Sequence, residues 1–127
     1  MTKRTGARPP GARRGDVRHI PDAGELVWLS FTPHAGHEQA GRRPGLVLSP
    51  RSYNAKVGLC LVCPVTQQSK GYVFEVALPR GLPVHGVVLA DHVKSADWQE
   101  RGSEHIATVP AEVLHEVRAK LKPLLGI

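Results

Sequence analysis

Glu38-Gln39-Ala40-Gly41-Arg42-Arg43-Pro44-Gly45-Leu46-Val47-Leu48-Ser49-Pro50 is the stretch from which this chain is best read. Its first half is a polar turn that places a carboxylate, an amide and two guanidiniums within seven residues. Arginine suits phosphate, because its planar fork donates two parallel hydrogen bonds. The second half is apolar and predicts a strand over Pro44–Ser49.

Working outward, the pattern is that of a small β domain. Upstream, Glu25–Phe31 is dense in β-formers and predicts the first strand. Thr32–Arg43 is a long, glycine-containing loop, and such loops in compact domains are more often functional than idle. Downstream, Pro50–Asn54 predicts a short helical turn that ends near Gly58. Leu59–Val65 is a near-continuous apolar run, expected to be a buried central strand. Gln67–Gly71 is a polar connection, and Val73–Leu78 alternates as a half-buried strand does. After a turn at Gly81–Pro83, strands are expected at Gly86–Ala90 and Val93–Ser95. A turn then spans Asp97–Gly102, and His105–Val109 is placed to close the sheet.

The final segment predicts a helix. Pro110 occupies a favoured first-turn position, and Glu112 lies near the positive end of the dipole. Val113, Val117, Leu121 and Leu124 form one apolar face. Arg118, Lys120 and Lys122 lie toward the end that favours cations, and Pro123 is expected to weaken or stop the helix. The fold class is therefore mainly β with a C-terminal helix, in a small, strongly bent antiparallel barrel.

The 127 residues make one domain, with 41% hydrophobic residues and no apolar run near the roughly 20 residues that span a bilayer. The N-terminus is basic without an apolar segment behind it, unlike a secretory signal; a cytoplasmic location with no membrane partner is expected. Of the net charge of +6, residues 1–19 carry +5, from six basic side chains and one acid. The other residues hold 11 basic and 10 acidic groups. The high pI thus reports the N-terminal segment and not the folded body. Residues 1–20 are expected to be a basic Gly/Pro/Arg-rich tail, either a salt-sensitive arm on nucleic acid or a solvated extension. Residues 21–127 are the expected folded domain.

Three ordered segments carry a family resemblance: Gly36-His37-Glu38-Gln39-Ala40-Gly41-Arg42-Arg43-Pro44, then Pro64-Val65-Thr66-Gln67-Gln68-Ser69-Lys70-Gly71-Tyr72, then Leu89-Ala90-Asp91-His92-Val93-Lys94-Ser95. In this order and spacing the chain resembles the MazF/PemK family of toxin endoribonucleases, from near Pro21 almost to the C-terminus. The resemblance implies an SH3-like barrel of the kind shared with the CcdB gyrase poisons. It implies a sequence-specific, metal-independent endoribonuclease (an mRNA interferase) that cuts single-stranded RNA to 2′,3′-cyclic phosphate and 5′-hydroxyl ends. It further implies a homodimer and a MazE-like cognate antitoxin that lays an acidic, disordered segment over the RNA groove. No cofactor or metal is expected.

Metal-free cleavage needs the 2′-hydroxyl deprotonated, the phosphorane stabilised and the leaving 5′-oxygen protonated. By the resemblance, Arg43 is the electrostatic stabiliser; the bland alternative is an ion pair with Glu38. Thr66 aligns with the family's catalytic threonine, where its hydroxyl contacts phosphate or positions the nucleophile; otherwise it caps a turn. Glu38 is either general base or the group that orients Arg43. Gln39, Arg42, Gln67, Gln68, Lys70 and Tyr72 are the expected RNA contacts. Arg42 departs from the best-known members, which carry histidine there, and a guanidinium does not shuttle protons near neutral pH. His34 and His37 lie in the same loop. Asp91, His92, Lys94 and Ser95 are structural or line the substrate.

Cys60 and Cys63 make a C-x-x-C spacing. On a strand, residues three apart face opposite sides, and no second pair stands at finger spacing. Both are expected in the core, as is Trp28, whereas Tyr53 and Tyr72 are placed to stack on bases. Two rival functions share the fold: a gyrase poison and a non-catalytic RNA-binding barrel. The chain ends Leu124-Leu125-Gly126-Ile127, without the tryptophan of the Trp-Gly-Ile ending on which CcdB-type poisons depend.

Overall fold

The structure, a computed structural model, describes residues 19–31 and 41–127. Residues 1–18, which hold nearly all of the expected tail, and Glu38 and Gln39 lie outside the described residues. Among the described residues the elements follow in the order β1 (Glu25–Ser30), β2 (Arg42–Val47), α1 (Arg51–Val57), β3 (Cys60–Thr66), β4 (Glu75–Ala77), β5 (Val87–Leu89), β6 (Lys94–Ala96), β7 (Glu104–Thr108) and α2 (Ala111–Leu125). A 3-10 turn, Ala90–His92, separates β5 from β6.

Pairing is antiparallel throughout, in the order β4-β5-β3-β2-β1-β7. β3 is the hub. One of its edges pairs with β2; the other takes β6 at Cys60–Val62 and β5 at Val65–Thr66. β5 and β6 thus share that edge of β3, separated by the 3-10 turn, and β5 takes β4 on its far side. Among the described residues β4 and β7 remain the two ends of the ladder, so the bent sheet does not close by pairing.

The central strands are buried on both faces, which explains their apolar runs. On one face Leu26, Leu46, Cys63 and Val65 pack with Val76, Val88 and the α2 residues Val113, Val117 and Leu121. On the other, Val27, Leu29, Val47, Cys60 and Val62 pack with Ala96 and Trp98, flanked by Ile20 and Phe31. Cys60 and Cys63 therefore lie in different cores. Burial pushes the Cys60 thiol up to about 11. Burial, then the charge of Asp91, pushes Cys63 to about 12. Both are protonated, inert core residues.

A buried polar knot ties α1 to the sheet. Asn54 is fully buried. It accepts from the Ser49 hydroxyl at 2.6 Å and donates to the Pro21 and Ser49 carbonyls at 2.8 and 3.0 Å. Trp98 Nε1 donates to the Asn54 carbonyl at 3.0 Å. Gly58, at φ 84°, ends α1 with its N–H on that same carbonyl; the left-handed region favours glycine there.

The structure corrects several sequence expectations. β2 begins at Arg42, not Pro44, because its ladder to β1 continues through Trp28–Pro44 to Ser30–Arg42. A proline ends a strand only where its missing N–H faces a partner. The strand expected over Val73–Leu78 shrinks to Glu75–Ala77, and Val73 is exposed. Trp28 leaves the core and is 36% exposed, because it sits beyond the reach of α2, opposite Pro44 and Glu104. Leu124 is likewise exposed. Helix α2 runs through Pro123 to Leu125. The proline lies in the last turn, where only one backbone bond is forfeited. Gly126 at φ 74° closes the end, donating to the Lys122 and Pro123 carbonyls.

Candidate active site

The register of β2 against β3 decides how the chemistry is assembled. Gly45 pairs with Pro64, Leu46 with Cys63 and Val47 with Val62. The ladder ends at that first pair; Arg43 and Thr66 each lie two residues beyond it, so strand alternation sets both on the face of Gly45 and Pro64. Arg43 is exposed, and Thr66 is the last, half-buried residue of β3. Two small residues pack closely here. A Cβ on Gly45 would lie 2.6 Å from Val62 Cγ2. Gly86, at φ 125°, passes so close that a Cβ there would meet the Thr66 carbonyl oxygen at 2.1 Å. No side chain fits between the β5 lead and Thr66.

Thr66 Oγ1 accepts the Gln68 N–H at 3.2 Å. The turn-capping role weighed for Thr66 is thus present, and as an acceptor in that bond its hydroxyl keeps a proton it can donate. Beyond it, Gln67, Gln68, Lys70 and Tyr72 are all exposed. The loop that carries them is gathered by Glu75. Its carboxylate accepts the Lys70 N–H at 2.9 Å, the Ser69 hydroxyl at 2.9 Å and the Gly71 N–H at 3.2 Å. The Lys70 N–H first, then Ser69 and the Tyr72 and Gly71 amides, holds the Glu75 carboxyl below its ordinary 4.5. Tyr72 stands edge-on to Phe74, with centroids 5.7 Å apart. Lys94 lies over the Phe31 ring at 5.2 Å, and both belong to the Arg43 and Thr66 face by alternation along β6 and beyond β1.

Arg42 goes elsewhere. It pairs with Ser30, so it points to the opposite face from Arg43. Its Nη2 donates to Glu104 Oε1 at 2.7 Å and to the Gly102 carbonyl at 3.0 Å. Alternation therefore sets Arg43 and Thr66, which leads into the Gln67–Tyr72 loop, on one face of the sheet and Arg42 on the other. Glu38 and Gln39 lie outside the described residues. Sequence reading missed Glu75, taken only as a strand residue, and the close approach at Gly86. An isolated glutamate behind a polar loop gives no periodic signal; only the fold reveals what its oxygens accept.

With this geometry established, comparison with known proteins is decisive. A family model, PemK-like, MazF-like toxin of type II toxin-antitoxin system, matches residues 22–125. The endoribonuclease toxin MazF of Escherichia coli strain K12 is 51% identical over 109 residues, covering 86% of this chain and 97% of that protein. The crystal structure of MazF from Deinococcus radiodurans superposes with a TM-score of 0.80 at 62% identity, covering 87% of this chain and all of that one. A MazE-MazF crystal structure from the same organism matches at TM-score 0.78 and 56% identity, over 87% and 99% of the two chains. This chain belongs to the PemK-like, MazF-like toxins of type II toxin–antitoxin systems.

Proposed function

We propose that this protein is an endoribonuclease toxin that cuts single-stranded RNA without a metal ion and is neutralised by a cognate antitoxin. The observation that carries the reading is the 51% identity to an endoribonuclease toxin over 97% of its length. The shared face of Arg43 and Thr66, each two residues beyond the Gly45–Pro64 pair, supports the assignment of the site.

The reaction is an in-line transfer within the RNA. The ribose 2′-oxygen bonds to the adjacent phosphorus while the bond from phosphorus to the 5′-oxygen breaks, which leaves a 2′,3′-cyclic phosphate and a 5′-hydroxyl. Arg43 places its guanidinium at the phosphate oxygens, where negative charge grows; a fixed donor there is often the largest single contribution. The Thr66 hydroxyl, held by the Gln68 N–H, donates to a non-bridging oxygen or orients the nucleophile. Glu38 either takes the 2′-hydroxyl proton or orients Arg43. Gln39, Gln67, Gln68, Lys70 and Tyr72 hold the flanking nucleotides, with Tyr72 as a stacking surface.

The same loops, in a homodimer, form a groove that an acidic, extended antitoxin segment fills in competition with RNA. Residues 21–127 act as the toxin domain, with residues 1–20 appended as a basic tail. Among the described residues no helix is long and apolar enough to cross a membrane, and the mRNA substrate places the action in the cytoplasm. The test is direct: the antitoxin-free protein is incubated with a long mixed-sequence RNA in EDTA, and new 5′-ends are mapped. Discrete cuts at a recurring short sequence are expected. Intact RNA from folded protein overturns the reading.

A further inference from the structure

The segment before β1, β1 itself and β7 converge on a cluster that the RNA chemistry does not use. His19 Nε2 lies 2.7 Å from Glu25 Oε1, and His105 Nδ1 lies 3.4 Å from the same oxygen. The ligand atoms of all three lie within 4.8 Å of one another, and the two imidazole rings stand 5.1 Å apart. Among the described residues this is the one group of His, Cys, Asp and Glu with metal-ligand spacing.

The cluster is built rather than incidental. Glu25 pairs with Thr108 and Leu26 with Ala107, but Val27 pairs with His105, so the register slips by one residue. Without that bulge Val27 would face Ile106, and His105 would lie on the opposite side of the sheet from Glu25. The bulge returns His105 to the side of Glu25, a re-aiming for which bulges are used near functional sites. His19 is set from its other side. Arg51 Nη1 donates to the Ile20 carbonyl at 2.9 Å, and Asn54 Nδ2 donates to the Pro21 carbonyl at 2.8 Å. Ile20 packs against the core beside Val27 and Trp98. The Glu25 side chain is only 12% exposed, while His19 and His105 are open at 44% and 42%. A nearly buried carboxylate thus forms the floor under two solvent-facing imidazoles.

We infer that His19, Glu25 and His105 form a binding site for a divalent transition-metal ion of the zinc type, with the remaining coordination open to solvent. Two imidazoles and a carboxylate suit zinc, nickel or copper and not magnesium or calcium, which take oxygen ligands. Bonds of about 2.0–2.1 Å at tetrahedral angles put ligand atoms roughly 3.4 Å apart. The 3.4 Å separation of His105 and Glu25 already meets that spacing, and His19, at 2.7 Å, must retreat by roughly 0.7 Å, within reach of a side-chain rotation. The ion clamps the chain leading into β1 onto the β1–β7 edge and joins positions 80 residues apart in sequence. It stands apart from the cleavage chemistry. Glu25 lies four residues along β1 from Leu29, the partner of Arg43, about 13 Å at strand rise.

The test uses metal-stripped, full-length protein without an affinity tag, because a histidine tag would bind the probe. Zinc is titrated against a chromophoric chelator, visible absorption is recorded with cobalt, and the thermal midpoint is followed with and without zinc. Wild type is expected to bind one ion in this site, to give a cobalt spectrum and to melt higher with zinc. His105→Ala should lose roughly tenfold or more in affinity, together with the cobalt spectrum and the thermal shift, whereas His92→Ala should keep all three. His105 is exposed, so its replacement leaves the fold intact even if Glu25→Gln does not fold. A His105→Ala titration that superimposes on wild type, or wild type that binds no zinc at submillimolar concentration, overturns the inference.

Discussion

Two neighbouring arginines show how much one residue of register matters. Arg43 lies on the face of Thr66, whereas Arg42 is turned away and committed to Glu104 and the Gly102 carbonyl. Arg42→Ala removes a pair at the surface, worth under about 1 kcal/mol of stability. It should lower cleavage by less than about tenfold, because Arg42 lies off the face of Arg43, an effect far below that of losing a transition-state donor. Steady-state rates on a short RNA containing one cut site would measure this; a loss as large as that of Arg43→Ala would show that the two act as a unit. Asn54 is the residue on which packing depends. Asn54→Ala strands the Ser49 hydroxyl and the Pro21 carbonyl inside the protein and should cost about 2–3 kcal/mol, read as a lower urea midpoint at unchanged slope.

Among the elements, the Gln67–Tyr72 loop is the most dependent on a residue outside it. Glu75 holds it through three hydrogen bonds, and its carboxyl is lowered from the ordinary 4.5. A group with a depressed folded-state value stabilises fully above its unfolded value and loses that contribution as pH falls through the lowered one. The Lys70 and Gly71 amide resonances should therefore titrate together, with a shared midpoint below 4.5. Amides that do not titrate with Glu75 would contradict the tether. Glu75→Ala should raise KM for RNA more than it lowers kcat, because it frees the loop and spares Arg43 and Thr66. The β5 lead makes a second, steric demand. Gly86→Ala sets a methyl against the Thr66 carbonyl at a φ of 125°. It should cost about 1–3 kcal/mol and reduce cleavage, measured as a fall in melting temperature alongside rate.

Across the whole molecule, sequence legibility followed the range of the interaction. β1, β3, α2 and the opposite facing of Cys60 and Cys63 were readable because period and composition are local. The start of β2 at Arg42 was not, because the ladder to β1 overrides the punctuation that Pro44 suggests. Pro123 misled because its cost depends on how much helix follows it. Arg43 and Thr66 were legible as candidates through a family resemblance, but their shared face is a property of register across β2 and β3. The His19–Glu25–His105 cluster was invisible to spacing rules, since its members are separated by long stretches of chain and joined by a bulge.

If Arg43, on the same sheet face as Thr66 just past the β2–β3 ladder, carries the cleavage, its loss must all but abolish it. The most direct measurement compares wild type and Arg43→Ala under single-turnover conditions in EDTA. The substrate is an RNA bearing a mapped cut site, and circular dichroism and melting temperature are matched between the two proteins. The account predicts the same fold and a rate lower by about 100-fold or more, the scale of losing one preorganised donor at the developing charge. A folded Arg43→Ala protein that cuts the same site at the wild-type rate would contradict it.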